Sequence, residues 1–311
     1  MVILVDFRQQ LVKQLKNNRP SVCTLGTFDG VHIGHKGLLE TTKTEAQRRQ
    51  ARSLAVVFRN QPKELIELSS KKGYLTSFNL RKRLLEEQNL DGIAYIDFDQ
   101  SIREMSAHQF LQCLKNILGV NVFILGPGAK LGHDRASIYD LSKTMTQSGI
   151  EIIEAISKDL NGMMVSSSSI RKEIESGNVE SASKMLGRPY MMTGAVEHGE
   201  KRGTKIGFPT ANIGLTEPLV IPADGVYASL ITFDNKEYHS ATSVGVRPTF
   251  GQNRRTIESY IIDFSGNIYN KNIELKFIKR LRNELKFASV DLLVEQMKND
   301  IEKTRQVLAI I

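Results

Sequence analysis

The chain has no tryptophan and only two cysteines and eight prolines in 311 residues. Cys23 and Cys113 lie far apart and match no metal-ligand spacing, which excludes a disulfide-stapled scaffold and points to a reducing, cytoplasmic setting. No run of about 18 apolar residues occurs, so no membrane-spanning helix is expected. The opening Met1 to Val5 is apolar, but Asp6 and Arg8 interrupt it too early for a signal peptide. With 41% hydrophobic and 24% charged residues and 23 glycines, collagen-like, coiled-coil and mostly disordered chains are excluded. Acidic residues are the minority charge: 42 Lys and Arg against 34 Asp and Glu leave a net +8. That balance calls for an anionic partner, whether nucleic acid, nucleotide or phosphorylated metabolite. The densest basic run, Lys276, Lys279, Arg280, Arg282 and Lys286, alternates with apolar residues and reads as a solvated face. A chain of this length is expected to form about two domains.

The first half alternates buried-strand patterns with helical ones. Strands are expected at Ser21–Leu25, Ser53–Phe58, Gly92–Phe98, Val120–Leu125 and Glu151–Ile156. Between them the spacing predicts helices over His32–Arg49, Leu80–Gln88 and Ser106–Leu118, the last with Ser106 as N-cap. Such alternation implies a parallel α/β sheet with its ligand at the carboxyl ends of the strands. A polar helix is expected over Ser167–Leu186. After it come short strands with no helix between them: Met191–Glu197, Gly225–Thr232, Ser240–Val244, Glu258–Phe264 and Ile273–Leu281. These predict a small antiparallel barrel, followed by a final amphipathic helix over Ser289–Leu308. The boundary falls near residue 186.

The first strand runs into Gly26-Thr27-Phe28-Asp29-Gly30-Val31-His32-Ile33-Gly34-His35. Strand, glycine turn and helix N-terminus make an anion site. His32 and His35 share one face of the first helical turn and can stabilise charge on a phosphoryl group in flight. Gly34 between them allows close approach of a nucleotide to the backbone. Two histidines could also begin a zinc site, but no third ligand cluster accompanies them. At the end of the same half, Val165 and Ser166, Ser167, Ser168 and Ser169 precede Ile170 and Arg171. Hydroxyls at a helix start with an arginine suit a polyphosphate.

In the second half, Gly203-Thr204-Lys205-Ile206-Gly207-Phe208-Pro209-Thr210-Ala211-Asn212 follows Lys201 and Arg202. The glycines and basic residues predict a mobile loop for phosphates. Thr210 and Asn212 would share one side of a strand, and their hard oxygens suit Mg²⁺ held jointly with ATP phosphates. Glu258 is placed to open a strand; beside a primary hydroxyl, a carboxylate can accept its proton during phosphoryl transfer.

These motifs, with Gly187-Arg188-Pro189-Tyr190, Gly225-Val226-Tyr227, Gly245 to Phe250, Asp263-Phe264 and Arg282 to Phe287, resemble the bacterial bifunctional riboflavin kinase/FMN adenylyltransferase family over nearly the whole chain. The resemblance implies an α/β, Rossmann-like nucleotidyltransferase domain over residues 1–186 and an antiparallel β-barrel riboflavin kinase domain over 187–311. The barrel would phosphorylate riboflavin with ATP, giving FMN, and the first domain would adenylylate FMN with a second ATP, giving FAD and pyrophosphate. Glu258 is similar to the family's general base, Thr210 and Asn212 to its Mg²⁺ ligands, and Gly203, Lys205 and Gly207 to its nucleotide loop. Arg282 and Glu284 fall where flavin contacts are expected. Gly26, Thr27, Phe28, Asp29, Gly30, His32, Gly34, His35, Ser166, Ser167, Ser168 and Arg171 fall on matching positions for adenylyl transfer. The implied partners are riboflavin, FMN and ATP, with neither nucleic acid nor membrane.

Two stretches depart from the family pattern. Gly128, Ala129 and Leu131 stand where a polar residue and aromatics are usual, and Gln61 stands where a histidine is usual. They leave open an alternative: a riboflavin kinase whose first domain has lost or retuned adenylyl transfer. His-Ile-Gly-His also opens the ATP site of class I aminoacyl-tRNA synthetases, but that class calls for a Lys-Met-Ser-Lys-Ser-like loop, and the chain offers Ser-Ser-Ser-Ser-Ile-Arg. A regulatory binding module with dead sites conflicts with the intact Thr210, Asn212 and Glu258.

Overall fold

The computed structural model describes residues 7–15, 19–60, 73–156, 159–160, 163–199, 202–249 and 252–310. By contacts the chain divides into two compact units, Met1–Lys71 with Phe78–Val165, and Lys72–Ser77 with Ser166–Ile311.

In the first unit, α1 (Phe7–Leu15) precedes β1 (Ser21–Gly26), α2 (Ile33–Arg48) and β2 (Arg52–Phe58). There follow α3 (Phe78–Glu86), β3 (Gly92–Ile96), α4 (Ala107–Leu118), β4 (Val120–Leu125), α5 (Ile138–Met145) and β5 (Glu151–Glu154). The strands form one parallel sheet in the order β3-β2-β1-β4-β5. Near-continuous apolar runs such as Leu54–Phe58 form the strands because helices cover both faces of a parallel sheet. Phe7 and Leu11 of α1 and Phe110, Leu111 and Leu114 of α4 pack on one face with Cys23, Leu54, Val56 and Phe123. Burial pushes the Cys23 thiol up to about 12, so it serves as a small apolar group. Ser106 caps α4 as expected, in a reciprocal box with Gln109. One edge of the sheet is closed by a side chain. The Gln14 carboxamide donates to Tyr95 O (3.1 Å) and accepts from Tyr95 N–H (3.0 Å), as a neighbouring strand would. The direction of winding reverses between β1 and β4, the place where open α/β sheets bind ligands.

The second unit begins with α6 (Ser167–Glu175) and α7 (Val179–Leu186), where the sequence predicts one continuous helix. Gly177 adopts φ +81° and breaks it; the Gly177 and Asn178 amides close back on the Ile174 and Glu173 carbonyls at 2.8 Å each. Six strands then close an antiparallel barrel: β6 (Tyr190–Glu197), β7 (Thr210–Gly214), β8 (Gly225–Phe233), β9 (Lys236–Thr249), β10 (Gln252–Ile261) and β11 (Asn272–Arg282). Around the barrel the order is β6-β7-β10-β9-β8-β11. Two strands outrun expectation. β9 extends past Ser240–Val244 at both ends, and β10 starts at Gln252, so Glu258 lies well inside it rather than opening it. Hairpin pairing out to Thr249 opposite Gln252, not the count of apolar residues, sets their length.

Alternation fixes the barrel's faces. Tyr190, Tyr227, Leu275 and Phe277 point inward beside a hydroxyl ladder in which Ser229 meets Ser240 (2.8 Å) and Thr242 (2.6 Å), and Thr242 meets Ser259 (2.9 Å). The helix α8 (Val290–Leu308), capped by Ser289, is tied to the barrel where Arg282 grips the buried Asp300 carboxylate with Nε (3.0 Å) and Nη2 (2.7 Å). Residues 73–77 belong to this unit. Tyr74 exchanges backbone hydrogen bonds with Pro218 and Val220 (2.7 and 2.9 Å), and Thr193 Oγ1 donates to Ser77 Oγ (2.9 Å). In the basic run, Lys276 pairs with Glu237 (2.6 Å), Arg280 donates to the Asp224 carbonyl (2.5 Å) and Arg282 holds Asp300. Those cations bind their own chain.

Candidate active sites

In the first unit, the segment from Gly26 to His35 leaves the carboxyl end of β1 beside the reversal point. It is a strained turn: Phe28, Gly30 and Val31 have φ of 51°, 87° and 39°. Positive φ is costly for a β-branched residue such as Val31, so its surroundings must hold it. Phe28 (2% exposed), Val31 and Asp29 are buried there. His32 is the N-cap of α2, and its Nδ1 accepts from the His35 amide at 3.3 Å. A neutral His32 ring therefore carries its proton on Nε2. The His32 and His35 rings stack at 3.6 Å, and Phe28 meets His35 edge-on at 5.2 Å. Gly34 makes this possible, because a Cβ there would stand 3.1 Å from His32 Nδ1. The structure thus brings together Gly26, Thr27, Phe28, Asp29, Gly30, His32, Gly34 and His35. On the other side of the reversal point, Gly128 adopts φ +67° with its amide on Glu154 (3.2 Å). Gln61 lies outside the described residues.

The serine-rich segment belongs to the second unit. Ser166 is the N-cap of α6 in a reciprocal box with Ser169. Ser167 is half-buried and Ser168 exposed. Arg171 is buried, with Nε donating to the Gly73 carbonyl at 3.0 Å, an anchoring contact that the sequence does not reveal.

On the barrel, Thr210 Oγ1 donates to Glu258 Oε2 at 3.1 Å. Asn212 stands directly opposite Glu258 across β7 and β10, and Ser243 flanks Glu258 from β9. Thr210, Asn212 and Glu258 share the outer face, since Ala211 and Ser259 alternate inward. Glu284 reaches the same face: a Cβ on Gly245, two residues from Ser243, would stand 2.9 Å from its Oε1. Arg282 differs, its fork being held by Asp300. The loop expected to be mobile contains a helical turn, Arg202–Lys205, closed by Phe208 N–H on Gly203 O (2.8 Å). Gly203 has no room for a side chain, a Cβ being 2.2 Å from Phe208 O, and Gly207 turns at φ +89°. Lys201 and the Lys205 side chain lie outside the described residues. Gly199, absent from the sequence reading, packs its α-carbon on the Asn212 carboxamide, where a Cβ would be 2.2 Å from Nδ2.

A hydroxyl and an amide oxygen beside a carboxylate suit a hard cation that keeps most of its ligands from water and phosphate. Among the described residues, no group of three or more His, Cys, Asp or Glu forms a cage of protein ligands. No helix among them is long and apolar enough to cross a membrane.

Fold and site together define a nucleotidyltransferase-type α/β unit joined to a flavokinase barrel. The FAD synthetase family model matches residues 14–169, and the riboflavin kinase family model residues 186–308. The bifunctional riboflavin kinase/FMN adenylyltransferase of Pseudomonas fluorescens is 31% identical over 307 residues, covering 96% of this chain and 98% of that one. The enzyme of the same name from Bacillus subtilis is 31% identical, with 90% of each chain covered. A crystal structure described as a macrolide-efflux protein from Streptococcus pneumoniae superposes at a TM-score of 0.86 with 30% identity, over 94% of this chain and 96% of that one. The chain belongs to the bifunctional riboflavin kinase/FMN adenylyltransferase family. Matches to both family models leave the kinase-only alternative unfavoured.

Proposed function

We propose that the protein works in the cytoplasm and makes FMN and FAD at two separate sites, with functional modules at residues 1–186 and 187–311. The observation that carries this reading is the pairing in one chain of the stacked His32 and His35 with the Thr210, Asn212 and Glu258 face.

In the kinase reaction, Glu258 accepts the proton of the riboflavin 5′-hydroxyl as its oxygen bonds to the ATP γ-phosphorus and the bond to ADP breaks. Thr210 holds the Glu258 carboxylate in place by its hydrogen bond. Thr210 and Asn212 would hold Mg²⁺, which supplies charge neutralisation on the transferring phosphates. Gly203, Lys205 and Gly207 are proposed to line the nucleotide, and Glu284 and Arg282 the flavin side, Arg282 through its hold on α8.

In the adenylyl transfer, an FMN phosphate oxygen bonds to the ATP α-phosphorus and the bond to pyrophosphate breaks. Oriented Nε2–H of His32, with His35, stabilises the charge that develops on the phosphoryl oxygens. Glycine amides of the strained turn are proposed to serve the nucleotide.

The test is a crossed pair of variants in the full chain. Glu258→Gln should lower FMN formation about 100- to 10,000-fold and leave FAD formation from supplied FMN intact. His32→Ala should lower FAD formation about 100- to 1,000-fold and spare FMN formation. Parallel loss of both activities in either variant would contradict separate sites.

A further inference from the structure

A buried cation outside both sets of motif residues stands beneath the adenylyl-transfer turn. Arg81, on α3, is 1% exposed. Its Nη1 donates to the Thr27 carbonyl at 2.9 Å and its Nη2 to the Arg59 carbonyl at 2.6 Å, while its Cζ lies 5.4 Å from the centre of the Phe78 ring. Those carbonyls open the segments leaving the carboxyl ends of β1 and β2. Thr27 immediately precedes the run of positive φ at Phe28, Gly30 and Val31, a conformation that persists only when its neighbours over-determine it. Arg59 is fixed independently, its amide donating to Ile96 O (2.9 Å). Beside it, Asn60 pairs with both backbone groups of Phe98, at 2.8 and 2.9 Å. The segment after β2 is thus tied to β3, and Arg81 ties the histidine-bearing turn to that fixed point. A guanidinium suits the task because its planar fork donates in two directions from one rigid group, and charge-assisted bonds of this kind are strong when water is excluded.

We propose that Arg81 is a positioning residue for adenylyl transfer, holding the turn from Thr27 to Val31 so that His32 and the turn's amides meet the reacting phosphates. In this role it works through the Thr27 main chain. The inference rests on adenylyl transfer by the first unit, and the unmutated protein making FAD from FMN is the check on that reading; no FAD from it would sink the reading rather than the role of Arg81.

The full-length chain supplies its own control, since riboflavin phosphorylation reports on the barrel while FAD formation from FMN reports on the turn. Arg81→Met, which keeps the bulk but not the fork, should lower the kcat of FAD formation about 100-fold, the scale for reacting groups misplaced by about 1 Å. KM for ATP and FMN should move far less, and phosphorylation should be unaffected. Rates are taken per folded molecule, from thermal melts followed by circular dichroism. Arg81→Lys, whose single ammonium cannot span both carbonyls in a fixed fork, should fall between the parent and Arg81→Met. A purely structural role predicts instead a lowered Tm with kcat per folded molecule at the parent value, which would overturn the proposal. Equal falls in both activities would also overturn it. Should Arg81→Met fail to fold, Arg81→Lys decides alone: a reduced FAD-forming kcat with intact phosphorylation supports the role, and a parental kcat refutes it.

Discussion

Gly199 shows how much of a site can depend on one absent carbon. Its backbone lies against the Asn212 carboxamide, and an added Cβ would stand 2.6 Å from Asn212 Cγ. Gly199→Ala should turn that amide away from Glu258 and lower the kcat of riboflavin phosphorylation at least 10-fold, by the sensitivity of phosphoryl transfer to placement. FAD formation from supplied FMN should be untouched; a parental phosphorylation rate would show that Asn212 tolerates the displacement. The residues proposed to carry chemistry are legible in the sequence because the chemistry demands particular side chains at fixed spacing, as with His32 and His35, or Thr210 and Asn212. Their supports were not. Gly199 and Arg81 act through backbone groups of segments distant in sequence, and no local spacing records such a contact.

At the scale of elements, the sequence indicated each strand of the parallel sheet because buried strands read as apolar runs. It joined α6 and α7 into one helix because Gly177 interrupts a pattern whose polar residues continue on both sides. The break matters for packing. A Cβ at Gly177 would stand 2.8 Å from the Arg280 guanidinium of β11. Gly177→Ala would put a side chain at φ +81°, at a cost of about 1–2 kcal/mol, before any displacement of Arg280. Urea unfolding should show a lower midpoint with an unchanged slope; a parental midpoint would mean that the α6–α7 turn relaxes freely. Five of the six barrel strands are indicated, β9 too short and β10 displaced toward its C-terminal end, since half their residues face outward and carry polar side chains that resemble turns; β7 is not among the indicated runs.

At the scale of the whole molecule, two reactions in series share a chain, and FMN is the product of one and the substrate of the other. If FMN leaves the barrel site before it is adenylylated, Glu258→Gln and His32→Ala proteins mixed together should convert riboflavin to FAD, although neither does so alone. Absence of FAD from the mixture, with each variant retaining its own half-reaction, would mean that FMN does not pass through solution. The net charge of +8 is in keeping with the demands of such a sequence, in which every substrate except riboflavin is an anion.

The Gln14 carboxamide, which completes the hydrogen bonds of Tyr95, also bears on what the chain does in company. The barrel hides its strands by closure, but an open sheet ends in a row of backbone donors and acceptors that will accept any extended peptide. By occupying the Tyr95 place in that row from α1, Gln14 denies it to a second molecule. A chain shortened from its start would therefore be prone to self-association through this rim, even with both active sites intact.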